Sequence, residues 1–247
     1  MAVYHHFVTL PTADGPMPMY VASPGGTEPR PAVLIIQGMH GMESFEINVA
    51  ERFAAQGYIA AVPDMFHRGP ACSSDVELNQ RRRKLDDQQK TSDVNAAIAY
   101  LQSQPYVQAD RQMGILGFCM GGRTSYLMAA TSPVIGVAAD FYGGGVHVGD
   151  GGPAPIELTG NIRCPILILD GEEDEHPSPA EVRKTEAELA RYGVVHEVHI
   201  YPGVGHAFMS VEGPRRREAV IDEAWSRLFA WFREYLPVTE LAAARSK

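Results

Sequence analysis

An α/β fold, built on a mostly parallel central sheet with helices on both faces, is what this sequence predicts, and three observations carry the prediction. Short apolar runs such as residues 32–36 and 166–169 show no polar alternation, as expected of strands buried on both faces of a parallel sheet. Between such runs lie segments with apolar residues at helical spacing, so strands and helices alternate along the chain. Glycine-bearing turns follow several of the strand runs, at the carboxyl ends where sheets of this kind bind ligands.

Taken in order, residues 3–10 read as an edge strand, then the turn Thr12-Ala13-Asp14-Gly15 and a second strand at 17–22. After a proline- and glycine-rich loop at 24–29, the apolar run 32–36 ends in Gln37-Gly38-Met39-His40-Gly41. Phe45, Val49 and Phe53 give 45–56 the period of a helix, and Gly57 supplies the residue that stops it. A strand follows at 58–62. Residues 64–90 form a long polar excursion, expected to lie over a binding pocket. Thr91 or Ser92 is expected to cap a helix over 93–101. A strand at 113–116, a helix at 124–130 and strands at 134–139 and 166–169 come next. Ser178 caps a helix that runs to Arg191, and 197–201 is the last strand. The final helix, over 215–235, sets Ala219, Ile221, Trp225, Leu228, Phe229 and Phe232 on an apolar face. Residues 238–247 read as a frayed tail. There is no internal repeat and no linker, so residues 1–247 are expected to form a single domain.

The composition is that of an ordinary globular protein, 45% hydrophobic and 21% charged. A net charge of −9 favours neither nucleic acid nor an anionic membrane as partner. Cys72, Cys119 and Cys164 are widely spaced, with no CxxC pair, so neither a disulfide framework nor a zinc site is indicated. No pair of histidines has metal spacing, and no cofactor motif stands out. The apolar runs are far too short to span a bilayer and the first residues carry no signal-peptide pattern, so a cytoplasmic setting is expected.

The stretch Gly117-Phe118-Cys119-Met120-Gly121-Gly122 lies between the strand at 113–116 and the helix at 124–130. Strand, Gly-x-nucleophile-x-Gly, helix is the pattern of a nucleophile elbow, with cysteine at the apex. The flanking positions must be small because the turn is sharp, and a helix N-terminus favours thiolate over thiol. A thiol nucleophile needs a base, and the base an orienting acid. Downstream stand Gly171-Glu172-Glu173-Asp174 after one strand and Gly205-His206 after the next, acid then base, each on a loop at a strand's carboxyl end. Asp174 is the acid by spacing, with Glu172 and Glu173 as alternatives. His206 is the base; His5, His6, His196 and His199 fall in strand patterns, and His67, His147 and His176 in loops that would rim a pocket. The amides of Met120 and Met39 are the candidate oxyanion donors.

At these residues the chain resembles the dienelactone hydrolase family. The likeness rests on Gly117-Phe118-Cys119-Met120-Gly121-Gly122, Gly171-Glu172-Glu173-Asp174 and Tyr201-Pro202-Gly203-Val204-Gly205-His206-Ala207-Phe208. Gln56-Gly57-Tyr58, Val62-Pro63-Asp64 and Phe141-Tyr142-Gly143 extend it. The resemblance implies an α/β-hydrolase fold and a cofactor-free Cys-His-Asp triad of Cys119, His206 and Asp174 that opens a lactone. Two positions depart from the pattern. The type enzymes carry a gating Glu where this chain has Gly38, with Glu43 nearby in sequence, and a carboxylate-binding Arg where it has Ser210. Arg81-Arg82-Arg83-Lys84 in the excursion offer another anion clamp. His40, Glu43, Arg81, Arg82, Tyr142 and Phe208 are therefore the candidate substrate contacts.

The reading is a cysteine-dependent hydrolase of a lactone or activated ester, a monomer or homodimer acting on a small molecule. A glutamine amidotransferase-like enzyme is a rival, though His206-Ala207-Phe208 lacks the His-x-Glu pair such enzymes carry. A non-catalytic binder, or an enzyme using the pocket for another reaction such as cyclisation, is the third.

Overall fold

The computed structural model describes residues 2–68, 74, 76–77, 80 and 85–238. Its eight strands form one sheet: β1 (Val3–Thr12), β2 (Gly15–Pro24), β3 (Ala32–Ile36), β4 (Ile59–Pro63), β5 (Met113–Phe118), β6 (Ile135–Phe141), β7 (Ile166–Gly171) and β8 (His196–Tyr201). The order across the sheet is β1-β2-β4-β3-β5-β6-β7-β8. β2 runs antiparallel to both of its neighbours, and the strands from β4 to β8 are mutually parallel. This is an α/β-hydrolase sheet. Among the described residues, the α-helices that pack on it are α1 (Ser44–Ala55), α2 (Asp87–Gln102), α3 (Met120–Thr131), α4 (Pro179–Arg191) and α5 (Glu218–Tyr235).

The uniform apolarity of the inner strands has the expected cause. Val33 and Ile35 of β3 face one core, with Phe53 of α1 and Trp225, Leu228 and Phe232 of α5. Leu34 and Ile36 face the other, with Ile98 of α2, Tyr126 of α3 and Leu189 of α4. Each of these large side chains contributes roughly 1.5–3 kcal/mol by leaving water. α5 lies almost where its spacing places it; it begins at Glu218, and Ala219 is exposed because it precedes the first buried turn. Val238, assigned by sequence to a frayed tail, is buried against Gly57.

The largest departure is at α2. It starts six residues before the expected 93–101 and is capped by Asp86, whose side chain accepts the Gln89 amide at 2.8 Å; Thr91 and Ser92 are inside the helix. Its first turn is polar yet buried. Asp87 is held by two guanidinium nitrogens of Arg123 on α3, and Lys90 bonds Asp87 at 3.4 Å and Asp150 at 2.9 Å. Arg68 makes a two-pronged contact with Asp93 at 2.6 and 2.8 Å, beside His67. Charge pairing across distant segments makes a buried helix start look like loop. Arg81, Arg82, Arg83 and Lys84 lie outside the described residues, as does Cys72. No described helix is long and apolar enough to cross a membrane.

Candidate active site

β5 hands over to α3 through Cys119, whose φ of 56° and ψ of −115° form a left-handed kink that a non-glycine residue adopts only under strain. The amide of Cys119 donates to the Phe141 carbonyl at 2.9 Å, and its carbonyl accepts from Arg123 at 3.2 Å, which secures the kink from both sides. The close approach of the flanks explains their residues. A Cβ at Gly117 would overlap the Gly121 backbone, and one at Gly121 would overlap the Ile36 and Gln37 carbonyls at the end of β3. The thiol is thereby lifted to the carboxyl end of the sheet, at the start of α3.

The loops after β7 and β8 meet it there. Asp174 is 4% exposed, and its two oxygens are separately engaged. Oδ1 accepts the His176 amide at 2.8 Å and Oδ2 accepts from His206 Nδ1 at 2.7 Å. The Asp174 bond, and after it a side-chain hydrogen bond to Cys119, push His206 up to about 10 against the opposing effect of burial. An imidazole bonded to the carboxylate on one side and to the thiol on the other is thus biased toward its charged form. Glu172 and Glu173 point to solvent. His147 is committed elsewhere, to the Glu181 carbonyl and Thr185 hydroxyl at 3.1 and 3.0 Å, and His67 to Asp93 at 3.2 Å.

A cavity of about 310 Å³ opens over Cys119 and His206, large enough for a small ligand. Of the residues expected to touch substrate, Met39, His40, Glu43 and Tyr142 line it, and so does Ser210. Phe208 does not: it is buried behind Tyr142, edge-on at 5.5 Å, and supports that ring from below. Arg81 and Arg82 are outside the described residues. Tyr142 has φ 43° and sets its ring edge-on to His206 at 5.2 Å; burial drives its hydroxyl well above the ordinary phenol range. Met120 is the first residue of α3, so its amide has no carbonyl one turn earlier within the helix.

One carboxylate in the cavity wall escapes the sequence reading. Glu46, on the first turn of α1, is 6% exposed and accepts the Gly38 amide at 3.4 Å and the Glu43 amide at 3.1 Å. Burial raises its carboxyl above the usual range, opposed by those amide donors. It stands over Gly38, where the dienelactone hydrolase pattern has a glutamate of its own. The signal was its phase: Glu46 shares the buried face of α1 with Val49, Ala50 and Phe53, an unusual place for an acid.

Known proteins resemble this chain over nearly its whole length. The family model described as "Dienelactone hydrolase family" matches residues 17–236. A Synechocystis sp. protein named "Putative carboxymethylenebutenolidase" is 32% identical over 238 residues, 93% of this chain and 96% of that protein. A Bradyrhizobium sp. protein named "Probable 2-oxo-3-(5-oxofuran-2-ylidene)propanoate lactonase" is 31% identical over 222 residues, 88% of this chain and 89% of its own. Among solved structures, one titled as a "Putative Dienelactone Hydrolase" from Klebsiella pneumoniae superposes with a TM-score of 0.86 at 25% identity. It covers 95% of this chain and 100% of that one.

Proposed function

The chain belongs to the dienelactone hydrolase family, whose members hydrolyse lactones and esters, and on that premise we propose that Cys119, His206 and Asp174 form its catalytic triad. The substrate is a lactone or an activated carboxylic ester. Asp174 holds the Nδ1–H of His206, which leaves Nε2 to take the thiol proton, or to pair with a thiolate already formed. Cys119 Sγ attacks the carbonyl carbon, and the amides of Met39 and Met120 receive the oxyanion. When the tetrahedral intermediate collapses, the ester C–O bond breaks and the alkoxide takes its proton from His206. In a lactone this leaving group stays tethered to the acyl chain. Water then gives a proton to His206 as it attacks the thioester, and the thiolate departs, restoring the starting state.

One observation carries this reading: a cysteine on a strained elbow and a buried aspartate engage opposite sides of one imidazole, the aspartate at 2.7 Å. Turnover of a chromogenic short-chain ester tests it. Parent protein is expected to hydrolyse the ester, and Cys119→Ala to fall to the uncatalysed rate. Equal turnover by the two would overturn the assignment, and no turnover by the parent on any ester or lactone would favour the non-catalytic binder.

A further inference from the structure

Behind the triad, on the side away from the substrate cavity, further acids lie in the core. Asp170, next to last in β7, is 1% exposed; its Oδ1 accepts the Gly171 amide at 2.7 Å, and its Oδ2 has no donor among the described residues. Asp140 of β6 is 2% exposed, and its Oδ1 likewise has none. The two wall a small cavity of about 10 Å³, room for one water, together with His147 and Glu181. Asp170 also faces the triad acid: beyond the effect of burial, the negative charge of Asp174 favours the neutral form of Asp170. Two buried carboxyl groups that face each other do not both ionise readily, so one of them holds a proton. Asp174 is already committed as an acceptor, to the His176 amide and to His206.

We propose that Asp170 is a positioning residue: a neutral carboxylic acid that donates its proton in a hydrogen bond to Asp174 and so keeps the triad carboxylate ionised and aimed at His206. The groups facing Asp170 support this. Asp174 lies on its own loop, Asp140 and Tyr142 come from β6 and its end, His147 from the loop beyond, and Glu181 from α4. Among the described residues, the cavity wall contains no lysine or arginine to compensate a second negative charge. Burial accordingly pushes Asp170 up to about 8 and Asp140 to about 7. As pH rises through that range Asp170 loses its proton. The donor is then gone, and two buried anions repel where a hydrogen bond had been.

The inference rests on the triad reading, so its test carries a triad control. The pH profile of kcat/KM on a chromogenic ester is measured for parent, Asp170→Asn, Asp170→Leu and Cys119→Ala. Parent activity is expected to fall above about pH 8. In the Asn variant the side-chain oxygen stays on the Gly171 amide and the NH2 group faces Asp174, a donor that cannot ionise. That variant keeps most of the neutral-pH rate and loses the fall near pH 8. The Leu variant, with no donor, loses about 10- to 100-fold at every pH, the weight of one hydrogen bond to a charged group. If Cys119→Ala is inactive and Asp170→Asn keeps the parental alkaline fall, this proposal fails while the triad stands. If Cys119→Ala is active, the triad reading fails first and the proposal with it. Should the Leu variant not fold, the Asn profile alone decides.

Discussion

Replacing Asp174 with asparagine changes a charge and a proton direction while leaving the loop its shape. The native Oδ1 accepts the His176 amide at 2.8 Å, a bond that an asparagine oxygen retains. That anchorage turns the new NH2 group toward His206 Nδ1, 2.7 Å from the native Oδ2. Two losses follow. The charge-assisted bond goes, costing about 1.5–3 kcal/mol, or roughly 10- to 100-fold in rate. The amide also donates where the carboxylate accepted, which forces the imidazole proton onto Nε2, facing the thiol, where it removes the base. The same reversal in a serine-protease triad costs about 10⁴-fold, so a loss on the order of 10³- to 10⁴-fold in kcat/KM is expected here, with KM little changed. Ester hydrolysis gives the rate. The titration of His206 by NMR gives the cause: it should drop from about 10 toward the ordinary histidine range, because the Asp174 bond is the largest influence raising it. A correctly folded Asn variant within 10-fold of the parent, or a His206 titration that does not move, would refute the reasoning.

Two further outcomes follow from the same site. Burial pushes the Cys164 thiol up to about 12, whereas Cys119 stands at a helix N-terminus against an imidazole biased toward its charged form. Iodoacetamide near neutral pH should therefore label Cys119 and leave Cys164 untouched until the protein unfolds, as read by peptide mapping; His206→Ala should slow the Cys119 reaction. Glu46→Gln removes a titrating group from the cavity wall and keeps one of its two acceptor bonds, since Oε1 accepts the Gly38 amide and Oε2 the Glu43 amide while glutamine has a single oxygen. It should leave the melting temperature within a few degrees and alter the pH dependence of kcat/KM, and an unchanged profile would show that Glu46 serves only to cap α1.

What the sequence made legible was whatever local chemistry fixes. β3 is apolar throughout because both its faces are covered, and that needs no partner to be recognised. The glycines around Cys119 are demanded by backbone overlap within a few residues and with the neighbouring strand, so the elbow shows as a motif. Asp174 and His206 follow strands at the spacing that brings them together. Illegible features depend on distant partners. The first turn of α2 reads as solvated loop until Arg123, 36 residues on, is seen to neutralise Asp87. Glu46 reads as a surface acid of an amphipathic helix until α1 is docked with that face inward. Asp140 and Asp170 are ordinary acids in sequence, and only the sheet register puts them in adjacent strands, with Asp140 opposite Ile168. Phe208 follows His206 by two residues, yet the turn of the chain sends it under Tyr142, where it shapes the cavity without lining it.

The claim on which everything above depends is that Cys119 forms a covalent acyl intermediate. Rapid acid quenching of the parent with an ester that acylates quickly and deacylates slowly, followed by mass spectrometry of the peptide containing Cys119, measures it directly. The account predicts a mass increase equal to the acyl group on that peptide alone. The adduct should accumulate in the parent within the first turnover, form far more slowly in His206→Ala, and be absent in Cys119→Ala. Sustained turnover with Cys119 unmodified throughout, or an acyl group carried by a different residue, would contradict it.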